Sequence, residues 1–296
     1  MSRASLDPAV LTVMAPGGEP PVLREPAQPP VQRRGRGWHG VLPPLAVLAV
    51  VVAVIYPVSY SLPPRQRFQL PPPHEVIRVS FLDAGNRRDL VAALGLSAQV
   101  ALTGLLIAML IGFVLAVLMS QARWAERSLF PYAVILQSIP ILALVPLIAV
   151  WLDYGFRARV TVCVLIALFP IIANTLFGLK SAEAGQHDLF TLHGASRWTR
   201  LIKLQLPAAM PAAFAGLRIA AGLAVVGAVV GDFFFRQGQP GIGILIDVYR
   251  ARLQGELLFG AAGMAALLGV AVFWAFGLLN DRVVGRWHDS GRPDRT

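Results

Sequence analysis

The chain has 296 residues, of which 56% are hydrophobic and only 14% are charged, and its mean hydropathy is +0.63. Soluble domains carry about 25% charged residues, so this composition excludes an ordinary soluble domain, a disordered chain and a coiled coil. The single cysteine, Cys163, excludes a disulfide scaffold. The composition predicts an integral membrane protein.

The net charge of +10 does not indicate a nucleic-acid partner. The basic residues are scattered between apolar runs and form no stripe with interleaved aromatic residues, so we expect no nucleic-acid binding. Their positions suit contact with an anionic lipid surface instead. The two lysines, Lys180 and Lys203, do not follow a glycine, which excludes a phosphate-binding P-loop in this chain.

Six apolar stretches are each long enough to cross about 30 Å of hydrocarbon as a helix. They cover residues 41–62, 90–122, 128–152, 160–179, 212–235 and 257–280. Only helices and closed barrels satisfy their backbone in lipid, and these stretches are too long and too evenly apolar for barrel strands. The sequence therefore predicts an all-α integral membrane protein with six transmembrane helices.

The segments between the spans predict the organisation and orientation of the chain. Residues 1–40 are interpreted as a flexible cytoplasmic tail, residues 41–89 as the first transmembrane helix with an external loop, and residues 288–296 as a second cytoplasmic tail. With the N-terminus inside, the inner segments carry more arginine and lysine than the outer ones. Both termini are therefore predicted to be cytoplasmic.

The longest polar loop on the predicted cytoplasmic side covers about residues 180–211. Gly194 is expected to end one short helix and turn the chain, while the small Ala195 and Ser196 allow close docking. An amphipathic helix is predicted to follow from Trp198 and to stop at Pro207. Such a helix-turn-helix is suited to receiving motion from another protein.

This loop resembles the cytoplasmic EAA loop of the permease subunits of bacterial ABC importers. The family pattern is Glu-Ala-Ala, three residues, Gly, nine residues, Ile, one residue and Leu-Pro. Gly194, Leu204 and Leu206-Pro207 match its second half in register, with leucine in place of isoleucine, whereas Asp188-Leu189-Phe190 replaces Glu-Ala-Ala. The resemblance implies an ATPase-coupling loop formed by Asp188, Gly194, Ala195, Ser196, Arg197, Leu204, Leu206 and Pro207.

Further segments resemble the nitrate, sulfonate and taurine branch of the same permeases. They lie at residues 139–151, 169–175 and 231–243, and the resemblance covers about residues 90–287. It implies a type I ABC importer, MetI-like permease fold over residues 90–287. The first 89 residues do not contribute to it.

The resemblance also implies partners and a location. Two permease chains, most simply a homodimer, would form the translocation path in the bacterial inner membrane. A separate ATPase would bind ATP, so that this chain needs no cofactor and has no catalytic residue, and an extracytoplasmic binding protein would deliver the substrate. The implied substrate is a small anion such as nitrate, a sulfonate or taurine, with a pyrimidine vitamin precursor or riboflavin as the alternative.

Polar or helix-kinking residues within the spans are candidates for the translocation path. Those selected are Gln137, Ser138, Pro140, Asn174 and Asp232. The alternative is that the polar ones form hydrogen bonds between helices, or that Asp232 extends to the membrane surface.

Two other classes of function are less well supported by the sequence. His187 and His193 lack further ligands at metal-binding spacing, and the short motifs of membrane enzymes are absent from the sequence. An ion-coupled carrier usually shows inverted repeats and buried ionisable groups. Neither is evident, and dependence of uptake on ATP distinguishes an ABC importer from such a carrier.

Overall fold

The computed structural model describes residues 42–283. The two predicted cytoplasmic tails, residues 1–40 and 288–296, lie outside the described residues. Within residues 42–283 the regular structure is helical throughout and contains no strand. The all-α class is therefore confirmed for this part of the chain.

The described chain forms eleven α-helices. Their bounds are α1 Leu42–Ser61, α2 Pro73–Ile77, α3 Ala84–Gln121, α4 Arg123–Ser138, α5 Ile141–Leu152, α6 Phe156–Leu179, α7 Ala184–Leu192, α8 Arg197–Arg200, α9 Leu206–Phe234, α10 Ile242–Ala251 and α11 Gly255–Val283. A 3₁₀ segment, Pro64–Gln69, follows α1, and π-helical turns occur at Arg78–Leu82 and Leu201–Gln205.

Four of these helical stretches are long and apolar enough to cross a membrane. They are α3, α6, the continuous helix Arg197–Phe234 and α11, and the bent pair α4–α5 would count as a fifth span. The first predicted span corresponds only to a shorter apolar helix, Leu45–Ser61. The predicted count of six spans is therefore not confirmed, because the described residues contain four spans, or five with the bent pair.

The third predicted span is a broken helix rather than a straight one. α4 ends at Ser138, α5 begins at Ile141, and the two axes differ by 101°. Ile139 and Pro140 between them have ψ angles of 125° and 115°, outside the helical range. The break follows from Pro140, because a proline lacks an N–H donor and keeps the residue before it out of the helical region.

The core forms where α6 packs against α3 and α9 through small residues. A Cβ atom at Gly104 of α3 would lie 2.3 Å from Cβ of Cys163, and one at Gly227 of α9 would lie 2.9 Å from its Cα. Cys163 is fully buried between these helices. Glycine at both contacts lets the three backbones approach closely, which is how helices associate in membranes.

The helix predicted to stop at Pro207 continues to Phe234 instead. In the preceding π turn the N–H of Leu206 bonds to the carbonyl of Leu201. The backbone hydrogen bonds of this turn thus span five residues instead of four. Pro207, which has no N–H, follows directly after it in the first turn of α9. Proline is tolerated in a first turn, so the segment after Gly194 is joined rigidly to a membrane span.

Candidate functional site

An exposed segment, residues 183–207, links α6 to the body of α9, and its first helix has defined ends. Glu183 and Gln186 form a capping box at the start of α7. At the other end Gly194 has φ +62°, its N–H bonds to the carbonyl of Thr191 at 3.0 Å, and the N–H of Ala195 bonds to the carbonyl of Phe190 at 3.0 Å. These two bonds form a Schellman motif, which requires a left-handed residue at the position of Gly194.

The second helix of this segment is capped and tied back to the first. Oγ of Ser196 accepts a hydrogen bond from the N–H of Thr199 at 3.2 Å. The Arg200 guanidinium donates to Oγ1 of Thr191 across the turn at 3.0 Å. The segment is therefore a short helix, a glycine turn and a second helix, which is the local structure that the sequence predicts.

The segment presents apolar side chains outward while its base is anchored. Leu189, Leu192 and Trp198 are exposed, with 85% of Leu192 accessible, whereas Leu201 at the base is buried in a core cluster with Met119. Several large apolar side chains exposed together on one short segment are typical of a contact surface. Of the sequence-predicted residues, Asp188, Gly194, Ser196, Arg197 and Pro207 are exposed, and Ala195, Leu204 and Leu206 are partly buried.

A cavity of about 590 Å³ lies between α4, α5, α6 and α9, at the break in the third span. Gln137 and Asn174 line it together, and the other ten lining residues are apolar, Phe169 among them. None of the lining residues is charged. The structure thus brings two of the predicted path residues to one cavity, whereas Ser138 and Pro140 do not line it.

Asp232 lies elsewhere, in a buried polar network near the end of α9. One carboxylate oxygen, Oδ2, accepts a hydrogen bond from Oγ of Ser97 at 2.6 Å, and the other lies 3.2 Å from the Arg159 guanidinium. Both charged side chains are almost inaccessible. The N–H of Gly243 also donates to Oδ2 of Asp232, at 3.3 Å, so the carboxylate is held by three different segments.

Arg159 is a residue that sequence reasoning missed. The apolar stretch that predicts this span begins at residue 160 and so places Arg159 in the preceding loop, but α6 begins at Phe156 and contains it. Its guanidinium donates to the carbonyls of Phe235, Gln237 and Gln239 at 2.7–3.1 Å. The signal available in the sequence was the acid inside an apolar run, because a buried carboxylate needs a cationic partner.

The chain matches the family model described as "Binding-protein-dependent transport system inner membrane component" over residues 104–285. This stretch covers the C-terminal part of α3 and all of α4 to α11, including the exposed segment and the cavity.

Curated relatives carry transport names. The riboflavin transport system permease protein RibX of Chloroflexus aurantiacus is 35% identical over 171 residues, which is 58% of this chain and 63% of that protein. The formylaminopyrimidine transport permease protein ThiX of Halalkalibacterium halodurans is 34% identical over 58% of this chain and 68% of its own length. The bicarbonate transport system permease protein CmpB of Synechococcus elongatus is 31% identical over 72% of this chain and 75% of its own length.

The match spans less than two thirds of the riboflavin permease. Since these relatives are named as transport permease proteins, the prediction of a transport subunit rather than an enzyme is confirmed.

Proposed function

Because the chain belongs to the family of binding-protein-dependent transport system inner membrane components, we propose that it is the permease subunit of an ATP-driven importer. In this proposal the exposed segment, residues 183–207, docks on a separate ATPase, and the cavity beside the broken third span belongs to the translocation path.

The Gly194 turn is the observation that carries the coupling proposal. Its two helices are fixed by a capping box, a Schellman motif and a side-chain cap, so the segment has one defined shape. The exposed Leu189, Leu192 and Trp198 offer apolar contacts to a groove on a partner. The second helix is continuous with α9 to Phe234, so a displacement of the segment would move a membrane span as one body.

The partners and location follow from the same proposal. The chain lacks the Gly-Lys step of a P-loop, so ATP would be bound by the ATPase. An extracytoplasmic binding protein would deliver substrate at the opposite face, and two copies of this chain would complete the path as a homodimer. We place the protein in the bacterial inner membrane with both termini cytoplasmic.

The cavity favours an uncharged, ring-containing cargo over the small anion that the sequence predicts. Transfer of an unpaired anion into an apolar site is costly, and no lining residue supplies a positive charge. The ring of Phe169 offers a stacking surface, and the carboxamides of Gln137 and Asn174 offer donors and acceptors. The proteins named for riboflavin and formylaminopyrimidine transport are similar to this chain at 35% and 34% identity.

Capture and reconstitution test the coupling proposal. The tagged chain, extracted from its native membranes in mild detergent, should bring down a P-loop ATPase that mass spectrometry identifies. Proteoliposomes holding both proteins should take up substrate with internal ATP and should not respond to an imposed proton or sodium gradient. Uptake driven by the gradient in the absence of ATP would contradict the proposal and support an ion-coupled carrier.

The cargo is tested in the same proteoliposomes with the cognate binding protein present. We expect uptake of labelled riboflavin or a pyrimidine but not of nitrate or a sulfonate, and we expect Gln137→Leu to lower that uptake several-fold. Gln66→Leu is the control, because Gln66 is exposed and lies outside the cavity. Uptake of an anion that is unaffected by Gln137→Leu would contradict the cargo proposal while leaving ATP coupling intact.

A further inference from the structure

A second, polar cavity of about 480 Å³ lies where α3 ends, α4 begins and α6 ends. It is lined by Met119, Ser120, Arg123, Glu126, Arg127 and Lys180. It shares no residue with the apolar cavity beside the broken span. Three of its six lining residues are cationic and only one is anionic.

Two of the three cations of this basic pocket have no acidic partner among the described residues. Lys180 forms an ion pair with Glu126, which leaves Arg123 and Arg127 in excess. Within residues 42–283 neither arginine forms a side-chain hydrogen bond or an ion pair, and both side chains are exposed. They lie four residues apart on α4, where like charges repel each other, so an anion bound between them would relieve an unfavourable arrangement.

The pocket lies at the level where membrane spans end. α3 and α6 are both long and apolar enough to cross a bilayer, and the pocket is bordered by their C-terminal ends. Trp124, next to Arg123, is 74% exposed, and exposed tryptophan is typical of the boundary between hydrocarbon and headgroups. In a bilayer that these spans cross, the cations would lie beside the phosphates of one lipid leaflet.

We propose that the basic pocket binds the phosphate group of an anionic phospholipid. Guanidinium groups bind phosphate oxygens through charge-assisted, often bidentate, hydrogen bonds. Basic pockets between spans on the cytoplasmic side suit anionic headgroups. The membrane position favours a lipid headgroup over free phosphate, because the lipid is present at that surface at high local concentration.

A lipid headgroup in the basic pocket would stabilise the position of the exposed segment, a consequence that rests on the proposed function. Lys180 lies three residues before the start of that segment in the chain. Nε2 of Gln121, one residue from the pocket, donates to Oε1 of Gln205 at 2.9 Å and to Oγ of Ser120 at 3.1 Å. A headgroup bound in the pocket would therefore restrict the motion of the exposed segment at two points, near Lys180 before its start and near Gln205 at its end.

Lipid binding is measured on the purified full chain in detergent by native mass spectrometry, with added dioleoyl phosphatidylglycerol. We expect phosphatidylglycerol to bind at least tenfold more tightly than the zwitterionic phosphatidylcholine. Arg123→Gln with Arg127→Gln should weaken that binding about 25-fold, at about fivefold for each basic residue near an anionic surface. The control, Arg65→Gln with Arg88→Gln, removes two exposed charges away from the pocket and should leave binding unchanged.

Glu126→Gln gives a test in the opposite direction. It removes the acid and releases Lys180, so phosphatidylglycerol should bind several-fold more tightly, a result that a damaged fold would not give. Three results would overturn the proposal. The first is that the control variant Arg65→Gln with Arg88→Gln loses as much lipid binding as Arg123→Gln with Arg127→Gln. The others are that the latter variant binds lipid as the wild type does, or that Glu126→Gln binds lipid more weakly. Competition by millimolar inorganic phosphate that abolishes lipid binding would show a free-phosphate site instead. None of these outcomes depends on an ATPase.

Discussion

The two ends of the helix Arg197–Phe234 are built in opposite ways. At its start the exposed segment is fixed by local hydrogen bonds, carries outward-facing leucines and is anchored mainly through Leu201. At its end Asp232 is fully buried and is bonded to residues from α3, α6 and the first turn of α10. One end therefore suits contact with a moving partner, and the other suits a fixed connection between spans.

Under the proposed coupling, this difference would let one helix transmit motion while its far end stays fixed in the core. The buried network ties the far end of α9 to Ser97 and Arg159, so a displacement of the end that carries the exposed segment would act against a fixed point. Substitutions at the two ends of the helix should therefore impair different properties of the protein. Those at the buried end should lower stability, and those at the exposed end should lower transport.

The largest expected effect follows from Arg159→Met. It leaves the Asp232 carboxylate buried without its cation and removes the donors to three carbonyls. Loss of one partner of a buried ion pair costs about 3–5 kcal/mol. The thermal unfolding midpoint in detergent should be strongly reduced, or the variant should not accumulate as folded protein.

The matched control is Arg157→Met, which removes an exposed arginine from the same helix start. It should leave the free energy of unfolding within about 0.5 kcal/mol of the wild-type value. Equal stability of the two variants would show that the buried network does not fix this end of α9.

A smaller loss is expected from Ser97→Ala. The hydroxyl donates to Asp232 at 2.6 Å and accepts from the N–H of Ile242 at 2.8 Å, so its removal leaves a buried N–H without that partner. Such a change costs about 1–3 kcal/mol, again measured by thermal unfolding. Ser61→Ala, at an exposed serine bonded only to its own helix, should be neutral, and a neutral Ser97→Ala would argue against the network.

The sequence predicts the exposed end better than the buried one, for a physical reason. The shape of the exposed segment depends on local chemistry, such as the left-handed φ of Gly194 and the Ser196 cap, and local chemistry is visible in residue spacing. The buried pair joins Arg159 to Asp232, 73 positions apart, and a search for uncharged runs excludes Arg159 from its helix. The helix through Pro207 was missed because its π turn is not encoded by a single residue type.

At the exposed end the predicted effect is on transport. Gly194→Val places a β-branched residue at φ +62°, where the surroundings leave space but the backbone strain costs about 1–2 kcal/mol. Membrane insertion and the unfolding midpoint of the core should remain, while ATP-driven uptake in proteoliposomes should fall at least tenfold.

Asparagine tolerates the left-handed region, so Gly194→Asn should retain most of the uptake. Gly185→Ala, at an open helical position of α7, should retain all of it. Full uptake by Gly194→Val would remove the exposed segment from the coupling mechanism.

The smallest expected effect is a gain in stability. Leu253 follows α10 at φ 58° in the same Schellman pattern as Gly194, and it is 60% exposed. Leu253→Gly should relieve the backbone strain, while the greater conformational entropy of glycine in the unfolded chain offsets part of the gain. The free energy of unfolding should rise by about 0.5–1 kcal/mol. Leu253→Ala keeps the strained residue and should give no gain in the same melting experiment.

Contact between the exposed segment and an ATPase is best tested by cross-linking from a single thiol. Cys163 is the only cysteine in the chain and is fully buried, so Leu192→Cys supplies a reactive thiol on the 85% exposed position of α7. With a thiol–amine reagent in native membranes, we expect Leu192→Cys to cross-link to the ATPase and Leu253→Cys, beyond the other end of α9, not to. Cross-linking from Leu253→Cys alone, or none from Leu192→Cys in a complex that transports, would contradict the proposed coupling.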